Sequence, residues 1–363
     1  MLRRTKTAAG FPDELASDMI WGMNRNSDAA LDRSTLFPRL PDLDSALARL
    51  VVQIPIGRVA TCGALAEALG FCGAAVWVAQ WAADHRHHPR CNCHRIVRAS
   101  GELGVYIAGS EDDKCRMLQR EGIPLICRRG SSARALIERF AFTDFESDRP
   151  LAALIDLQHR VASLRCSTPP LEQPALVAGF DSAYCGRRTM QAACAVCDAE
   201  GNVVYRAVIR RPVAFPYIST LLAYRELPAY RDLLDRMRAE GYEPQLLMID
   251  GSGALHPRKA GIAVHLGVLV DLPAIGASKT LLLGRCNTNR LQPGESRPIV
   301  VEDEVRGVAY RPSESSRKCV YVSPGHRCDV AFAERWVRQL TVGRQLPEPL
   351  YWADLLSRQS NVV

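Results

Sequence analysis

Nothing in the 363 residues approaches the run of about 18 apolar residues that a membrane span needs, so no membrane role is expected. Aromatic residues make up only 7%, with 47% hydrophobic and 23% charged, a balance that excludes collagen, a long disordered tail and a coiled coil. No internal repeat is evident. A signal peptide with an apolar core is also missing, and the thirteen cysteines are odd in number and scattered. They are read as reduced thiols, not a disulfide framework, in an intracellular compartment that is cytoplasmic or, in a eukaryote, nuclear. The basic start, Met1 to Thr7, is followed at once by Asp13, Glu14 and Asp18, whereas transit peptides are poor in acids, so organelle targeting is not expected.

This length is large for one core and small for three, which predicts two domains. Net charge is +7, of which +2 falls in residues 1–150 and +5 in the rest. That mild excess permits nucleic-acid binding without requiring it. Residues 1–43 show little periodicity, interrupted by Pro12, Gly22, Pro38 and Pro41, and form a poorly specified lead-in. From there the spacing predicts helices over 45–54, 64–69 and 73–83, joined by a connector at 57–62 and by Gly70. Two short helices around a glycine turn make a helix-turn-helix candidate, a weak sign alone because most such pairs bind nothing. Residues 128–173, with Gly130-Ser131-Ser132, a helical 151–164 and Thr168-Pro169-Pro170, read as a linker and the first helix of a second domain at 174–345. There, strands are expected over 176–184, 192–197, 203–210, 245–249 and 268–277, and helices over 221–240 and 259–266. Strand, hairpin and then alternating helix and strand imply an α/β fold, a mixed sheet covered by helices.

Three acids in this second domain are oddly placed for a structural purpose. Asp181 interrupts the apolar run Val177-Ala178-Gly179-Phe180, where an unpaired charge is costly. Asp250 ends the run Leu246-Leu247-Met248-Ile249, at a carboxyl strand end, where open α/β sheets keep their sites. Glu226 lies early in the helix after Pro216-Tyr217. Phosphodiester hydrolysis by two metal ions needs carboxylates converging where ions ~3.5–4 Å apart can polarise the phosphate and generate hydroxide. Taken singly, Asp250 also reads as a turn residue before Gly251, and Glu226 as a solvated helix charge.

The surrounding words are Gly179-Phe180-Asp181-Ser182-Ala183-Tyr184, Arg211-Pro212-Val213-Ala214-Phe215-Pro216-Tyr217-Ile218, Tyr224-Arg225-Glu226, Ile249-Asp250-Gly251-Ser252-Gly253-Ala254-Leu255-His256-Pro257-Arg258, Ile275-Gly276-Ala277-Ser278-Lys279 and Val322-Ser323-Pro324-Gly325-His326. In this order and spacing they resemble the endonuclease V family over nearly all of residues 174–342. The resemblance implies a ribonuclease-H-like fold, with Asp181, Glu226 and Asp250 binding Mg²⁺, or Mn²⁺ as a substitute. It implies a DNA-repair hydrolase that cuts a phosphodiester on the 3′ side of deoxyinosine and leaves a 3′-hydroxyl. His256 would orient water, Lys279 stabilise charge, and His326 stand near the metal or handle protons. The motif Phe215-Pro216-Tyr217-Ile218 resembles the family's strand-separating wedge, which implies Pro216, Tyr217 and Ile218 as substrate contacts, with Arg225 and Gly251 as further ones. A rigid aromatic there offers a stacking face, although Tyr217 alone also reads as core. The pattern is broken at Ser219, where a second wedge proline is usual, at Ser252, where histidine is usual, and at Gln245, where an acid is common. An endoribonuclease acting on inosine-containing RNA, with a non-catalytic first domain, is the alternative, since the metal chemistry is the same and the choice rests on 2′-hydroxyl contacts.

In the first domain, residues 44–127, Cys91-Asn92-Cys93-His94-Arg95 precedes Gly101-Glu102-Leu103-Gly104. A cysteine followed by histidine makes a nucleophile if the imidazole helps remove the thiol proton and a carboxylate such as Glu121 orients it. With Ile54-Pro55-Ile56-Gly57-Arg58-Val59 and Ala64-Leu65-Ala66-Glu67-Ala68-Leu69-Gly70, this segment resembles the O6-alkylguanine-DNA alkyltransferases over residues 45–124. That resemblance implies a small, mostly helical DNA-binding domain whose Cys93, with His94 and Glu121, accepts an alkyl group from a flipped guanine. Asn92 replaces the family's proline, Cys62 a tyrosine, Val76 the intercalating arginine, and His85 stands near the usual asparagine hinge. An apolar wedge only partly replaces the arginine, so a non-catalytic DNA-binding module is the other reading. A third is metal, since His85, His87, His88, Cys91, Cys93 and His94 crowd together, though without the two separated ligand pairs usual for zinc. A surface loop with incidental histidines is the fourth. The partners expected are DNA with deaminated or alkylated bases, or RNA, met by a monomer.

Overall fold

The structure, a computed structural model, describes residues 32–88, 90–126, 133–186, 188–313 and 318–359. Most of the lead-in, Cys127 and Gly130-Ser131-Ser132 lie outside these. Among the described residues no helix is long and apolar enough to cross a membrane.

The first region is a set of short helices held by local caps. Asp42 accepts the Ser45 amide at 3.0 Å to open α1 (Leu43–Gln53). After β1 (Ala60–Thr61), Thr61 caps α2 (Cys62–Ala68) through the Ala64 amide. The third expected helix is a 3₁₀ turn, Cys72–Ala74, running into α3 (Ala75–Asp84). A second 3₁₀ turn, Cys93–Arg95, leads into β2 (Ile96–Val97), which pairs in parallel with β1. A Ser110–Asp113 capping box opens α4 (Glu111–Arg120), and β3 (Leu125–Ile126), β4 (Arg134–Ala135) and the single turn α5 (Ile137–Phe140) complete the region.

The second region begins with α6 (Pro150–Ser163), its Pro150 in the first turn, where no amide donor is needed. Its sheet contains β5 (Leu176–Cys185), β6 (Thr189–Asp198) and β7 (Val203–Pro212), followed by α7 (Leu222–Ala239) and β8 (Leu246–Asp250). Then come α8 (Ile262–Val270), β9 (Ala274–Ser278), β10 (Ser296–Val301), β11 (Glu304–Tyr310), β12 (Val320–Pro324), α9 (Val330–Gln339) and α10 (Glu348–Arg358). The eight strands run in the order β10-β11-β12-β9-β8-β5-β6-β7, with β5, β8 and β9 mutually parallel and the other pairs antiparallel. This is the mixed, helix-covered sheet expected from the strand pattern.

One expected element is corrected. Residues 268–270 belong to α8, and the strand starts only at Ala274. Every residue of α8 is buried, so it carries no amphipathic stripe by which sequence could tell helix from buried strand.

Strand alternation sorts the sheet into two faces. Ala178, Phe180, Leu247 and Ile249 pack with α7 and α8. Val177, Leu246 and Met248 point the other way, into the core of α9 and α10 that contains Trp336 and Leu350. A third cluster joins the regions: Leu47, Leu50, Leu65, Trp77 and Val78 pack with Leu151 and Leu154 of α6 and with Phe215, Ile218, Leu221 and Tyr224.

Candidate functional site

The faces place the acids. Asp181 shares the phase of Val177 and Gly179, and Asp250 that of Leu246 and Met248, so both point toward α10. The register pairs Phe180 with Ile249 on parallel neighbours, setting the mid-strand Asp181 beside Asp250 at the end of β8. Above them α10 lies close on β5, because a Cβ at Gly179 would collide with the Pro349 backbone. That approach delivers Asp354, and oxygens of Asp181, Asp250 and Asp354 lie within 4.8 Å of one another. Sequence reasoning missed Asp354, which lies beyond residue 345 in an amphipathic helix with no local mark of its destination. Lys279, at the end of β9, places Nζ 2.5 Å from Asp354 Oδ1 and 3.9 Å from Asp250 Oδ2. Burial and the neighbouring Asp250 and Asp354 charges push Asp181 up to about 7, and Ser357 donates to its Oδ2 at 3.0 Å. Burial likewise raises Asp250 to about 6, against the opposing pull of Lys279.

Glu226 lies outside this set of oxygens but within electrostatic reach of it, since the Asp181 charge raises Glu226 and the Glu226 charge raises Asp250. It lies on α7, across the sheet, where Ser182 and Tyr184 hydroxyls donate to Oε1 at 2.7 Å each and Tyr230 donates to Oε2 at 3.2 Å. Burial raises it to about 7 despite those donors. His256 is buried with both ring nitrogens in use: Nε2 meets the Thr220 carbonyl at 2.9 Å and Nδ1 accepts the Arg258 amide at 3.2 Å. Burial lowers it to about 4, so it is neutral at physiological pH. His326 follows β12, which is antiparallel to β9 and pairs Pro324 with Ile275, and so stands at the end of the sheet opposite Lys279. There Nε2 donates to Asp271 at 3.0 Å and Nδ1 accepts the Cys166 amide at 3.1 Å.

The wedge segment divides in two. Phe215 and Ile218 are buried in the cluster shared with the first region, while Tyr217, between them, is 59% exposed and is not core. Pro216 is half-buried. Arg225 stacks over the Tyr184 ring at 4.0 Å and donates to the Phe215 carbonyl at 3.3 Å, bracing the loop. Gly251 follows Asp250 directly, and a Cβ there would strike Ile262. A polar pocket beside Lys279 is lined by Asn289, Arg290, Arg311, Lys318 and Tyr321.

In the first region His94 Nε2 donates to Glu121 Oε1 at 2.8 Å, and Arg95 clamps the same carboxylate with Nε at 2.9 Å and Nη2 at 2.9 Å. Although burial opposes it, these donors hold Glu121 below its ordinary range. Cys93 is buried, and no direct hydrogen bond joins it to His94, whose Nδ1 is buried without a partner. Val76, at the start of α3, is 70% exposed.

The family model described as Endonuclease V matches residues 157–355, more than half of the chain. That for the DNA-binding domain of 6-O-methylguanine DNA methyltransferase matches residues 42–123. Endonuclease V of Methanopyrus kandleri is 39% identical over 206 residues, 56% of this chain and 86% of that protein. Its counterpart in Thermofilum pendens is 42% identical over 204 residues, 54% and 84% of the two chains. The catalytic domain of human endonuclease V aligns with a TM-score of 0.55 at 29% identity, covering 59% of this chain and 96% of that one. Endonuclease V of Ciona intestinalis, solved with a 24mer DNA containing an inosine followed by a ribo-adenosine, aligns with a TM-score of 0.53 at 26% identity, covering 58% and 97%.

Proposed function

The chain belongs to the endonuclease V family, and on that premise we propose that it is a divalent-metal-dependent endonuclease that cuts DNA on the 3′ side of deoxyinosine. The observation that carries this reading is the convergence of Asp181, Asp250 and Asp354 beside Lys279. Asp181 and Asp250, both raised by burial and by the Asp354 charge, form with Asp354 an all-oxygen donor set for a hard cation such as Mg²⁺ or Mn²⁺. Bound there, such an ion supplies Lewis-acid polarisation of the phosphate and a water of lowered pKa. Lys279 keeps a positive charge where phosphate charge would build up, and the pocket beside it offers further cations to a strand. Tyr217 projects from a loop anchored at Phe215 and Ile218, an arrangement suited to stacking in the gap left by an everted base. His256 and His326 act on this reading as positioning residues, holding the loops after β8 and β12. The test is an end-labelled duplex with one deoxyinosine, incubated with Mg²⁺, Mn²⁺ or chelator and mapped at nucleotide resolution beside an unmodified duplex and inosine RNA. Metal-dependent cutting 3′ of deoxyinosine upholds the reading; equal cutting of the unmodified duplex, or cutting of RNA alone, overturns it.

The first region is read as a DNA grip with a second activity at Cys93. Support comes from the matched DNA-binding domain and from the His94–Glu121 hydrogen bond. The Cys93 thiolate would attack the alkyl carbon of O6-alkylguanine, forming S–C as C–O breaks, while the guanine recovers a proton. His94 Nδ1, buried and unpartnered, is the nitrogen available to take the thiol proton through a water. Transfer of radiolabelled methyl to protein, lost in Cys93→Ser and kept in Cys91→Ser, supports this; an unlabelled protein that still nicks deoxyinosine leaves the region as a grip alone.

A further inference from the structure

We propose that His85, His87, Cys91 and Cys93 form a tetrahedral Zn²⁺ site in the first region. One ligand atom from each lies within 4.8 Å of all the others. Cys91 Sγ is 3.3 Å from His85 Nε2, and Cys93 Sγ is 3.6 Å from His87 Nδ1. Around a tetrahedral zinc with Zn–S near 2.3 Å and Zn–N near 2.0–2.1 Å, sulfur and nitrogen ligands stand about 3.5 Å apart. Both measured sulfur–nitrogen spacings thus match a loaded cage, and two thiols with two imidazoles suit borderline-soft zinc and not the hard ion expected at the carboxylates.

The ligands are also oriented from behind. His85 Nδ1 lies 3.0 Å from the Trp81 carbonyl, which only a protonated nitrogen can satisfy, so the lone pair sits on Nε2, facing Cys91. Its ring stacks on Trp81 at 4.1 Å and 11°, and His87 is held edge-on between His85 and Tyr106. A carbonyl that fixes the tautomer of an imidazole is the usual support behind a metal-binding histidine. Along the sequence these residues do not fall into the two separated pairs usual for zinc. The fold supplies them: His85 and His87 leave the end of α3, the chain reverses with the Cys91 amide bonded to the His88 carbonyl at 2.8 Å, and Cys91 and Cys93 return on the other side. His88, which accepts the Arg90 amide, and His94, tied to Glu121, stand outside the set. No disulfide competes, since both thiols are free. A loaded site engages Cys93 and withholds it from alkyl transfer, whereas the nuclease acids are built from other elements.

The full chain, purified from zinc-supplemented medium without chelator, is expected to retain one zinc per chain through dialysis. Its cobalt-substituted form should show the intense visible bands of tetrahedral Co²⁺ and near-ultraviolet thiolate-to-cobalt charge transfer, which the all-oxygen site cannot give. Cys91→Ser and His85→Ala should lose the zinc on dialysis, and Cys62→Ser, a thiol outside the cage, should keep it. If the ligand variants do not fold, iodoacetamide mapping of the unaltered protein decides: Cys91 and Cys93 should be protected with zinc and modified after chelation. A protein that retains no zinc and gives no thiolate bands with cobalt overturns the proposal. So does zinc that survives in both folded ligand variants, or labelling of the two cysteines that ignores chelator.

Discussion

The carboxylate cluster and the thiol–imidazole cluster are assembled over very different stretches of chain. Asp181, Asp250 and Asp354 come from two strands and the last described helix, and they meet only because β5 and β8 pair in register and α10 settles on Gly179. His85, His87, Cys91 and Cys93 sit on one turn between α3 and β2. An oxygen cluster of this kind therefore reports the folding of the whole sheet, while the sulfur–nitrogen cluster reports one local reversal. The contrast also sets electrostatic character: mutual repulsion and burial make the acids a poor resting arrangement without a cation, whereas thiols and imidazoles satisfy one another as hydrogen-bonded pairs.

The largest effect should come from breaking the long-range cluster. Asp181→Asn, Asp250→Asn and Asp354→Asn are each expected to lower metal-dependent nicking of deoxyinosine DNA by roughly a thousandfold or more, with folding intact by circular dichroism. The Asp354 variant is the sharpest of the three, because only the fold places that residue. Near-normal activity in it would return the third carboxylate position to Glu226.

Proton competition should give the next effect. Asp181 is raised to about 7 and Asp250 to about 6, so cation binding must displace protons. Mg²⁺ affinity should rise at least about a hundredfold from about pH 5 to about pH 8. For the metal-free protein the sign is opposite. Carboxyls raised by burial contribute stability below about pH 4, and it is lost as pH climbs through 6 to 7. Added Mg²⁺ should therefore raise Tm much more at about pH 8 than at about pH 5. A Tm shift independent of pH would mean that the ion binds elsewhere.

Asp181 and Asp250 were legible because a charge inside or closing an apolar run is a local anomaly, and strand periodicity fixes which side it faces. For Glu226 nothing local says on which side of a sheet a crossover helix packs; α7 lies on the Phe180 face, and the glutamate meets Asp181 and Asp250 through its charge, outside the close set of oxygens. His326 was misplaced for a similar reason, since the antiparallel insertion of β12 beside β9 carries its motif to the far end of the sheet. In the first region the helices were legible from their apolar spacing, but the metal cage was obscured, because ligand spacing along a chain does not show where it turns back.

Glu226→Gln tests the face assignment with a smaller effect. An amide keeps one acceptor but loses part of what three hydroxyls use, so thermal unfolding should reveal a loss of about 1–3 kcal/mol. Calorimetric Mg²⁺ affinity should hardly change; a large drop with unchanged stability would instead make Glu226 a ligand.

The smallest expected effect belongs to Tyr217, where the two regions meet. Its neighbours Phe215 and Ile218 are buried among first-region helices, so the loop is fixed from behind, while the Tyr217 ring is free to stack. Removing a stacking ring costs about 1–3 kcal/mol per base, so Tyr217→Ala should lose discrimination between deoxyinosine and normal duplexes by about 5- to 150-fold. Cutting of an already single-stranded inosine substrate should change less, because no strand separation is needed there. The unfolding free energy should stay within about 0.5 kcal/mol of the parent, as for an exposed side chain without a packing role. Phe215→Ala is the matched contrast: its ring is buried at the shared cluster, and its loss should cost about 3–5 kcal/mol of stability. If Tyr217→Ala destabilises the chain as much as Phe215→Ala, or impairs both substrates equally, the tyrosine is packing and the loop reads no lesion.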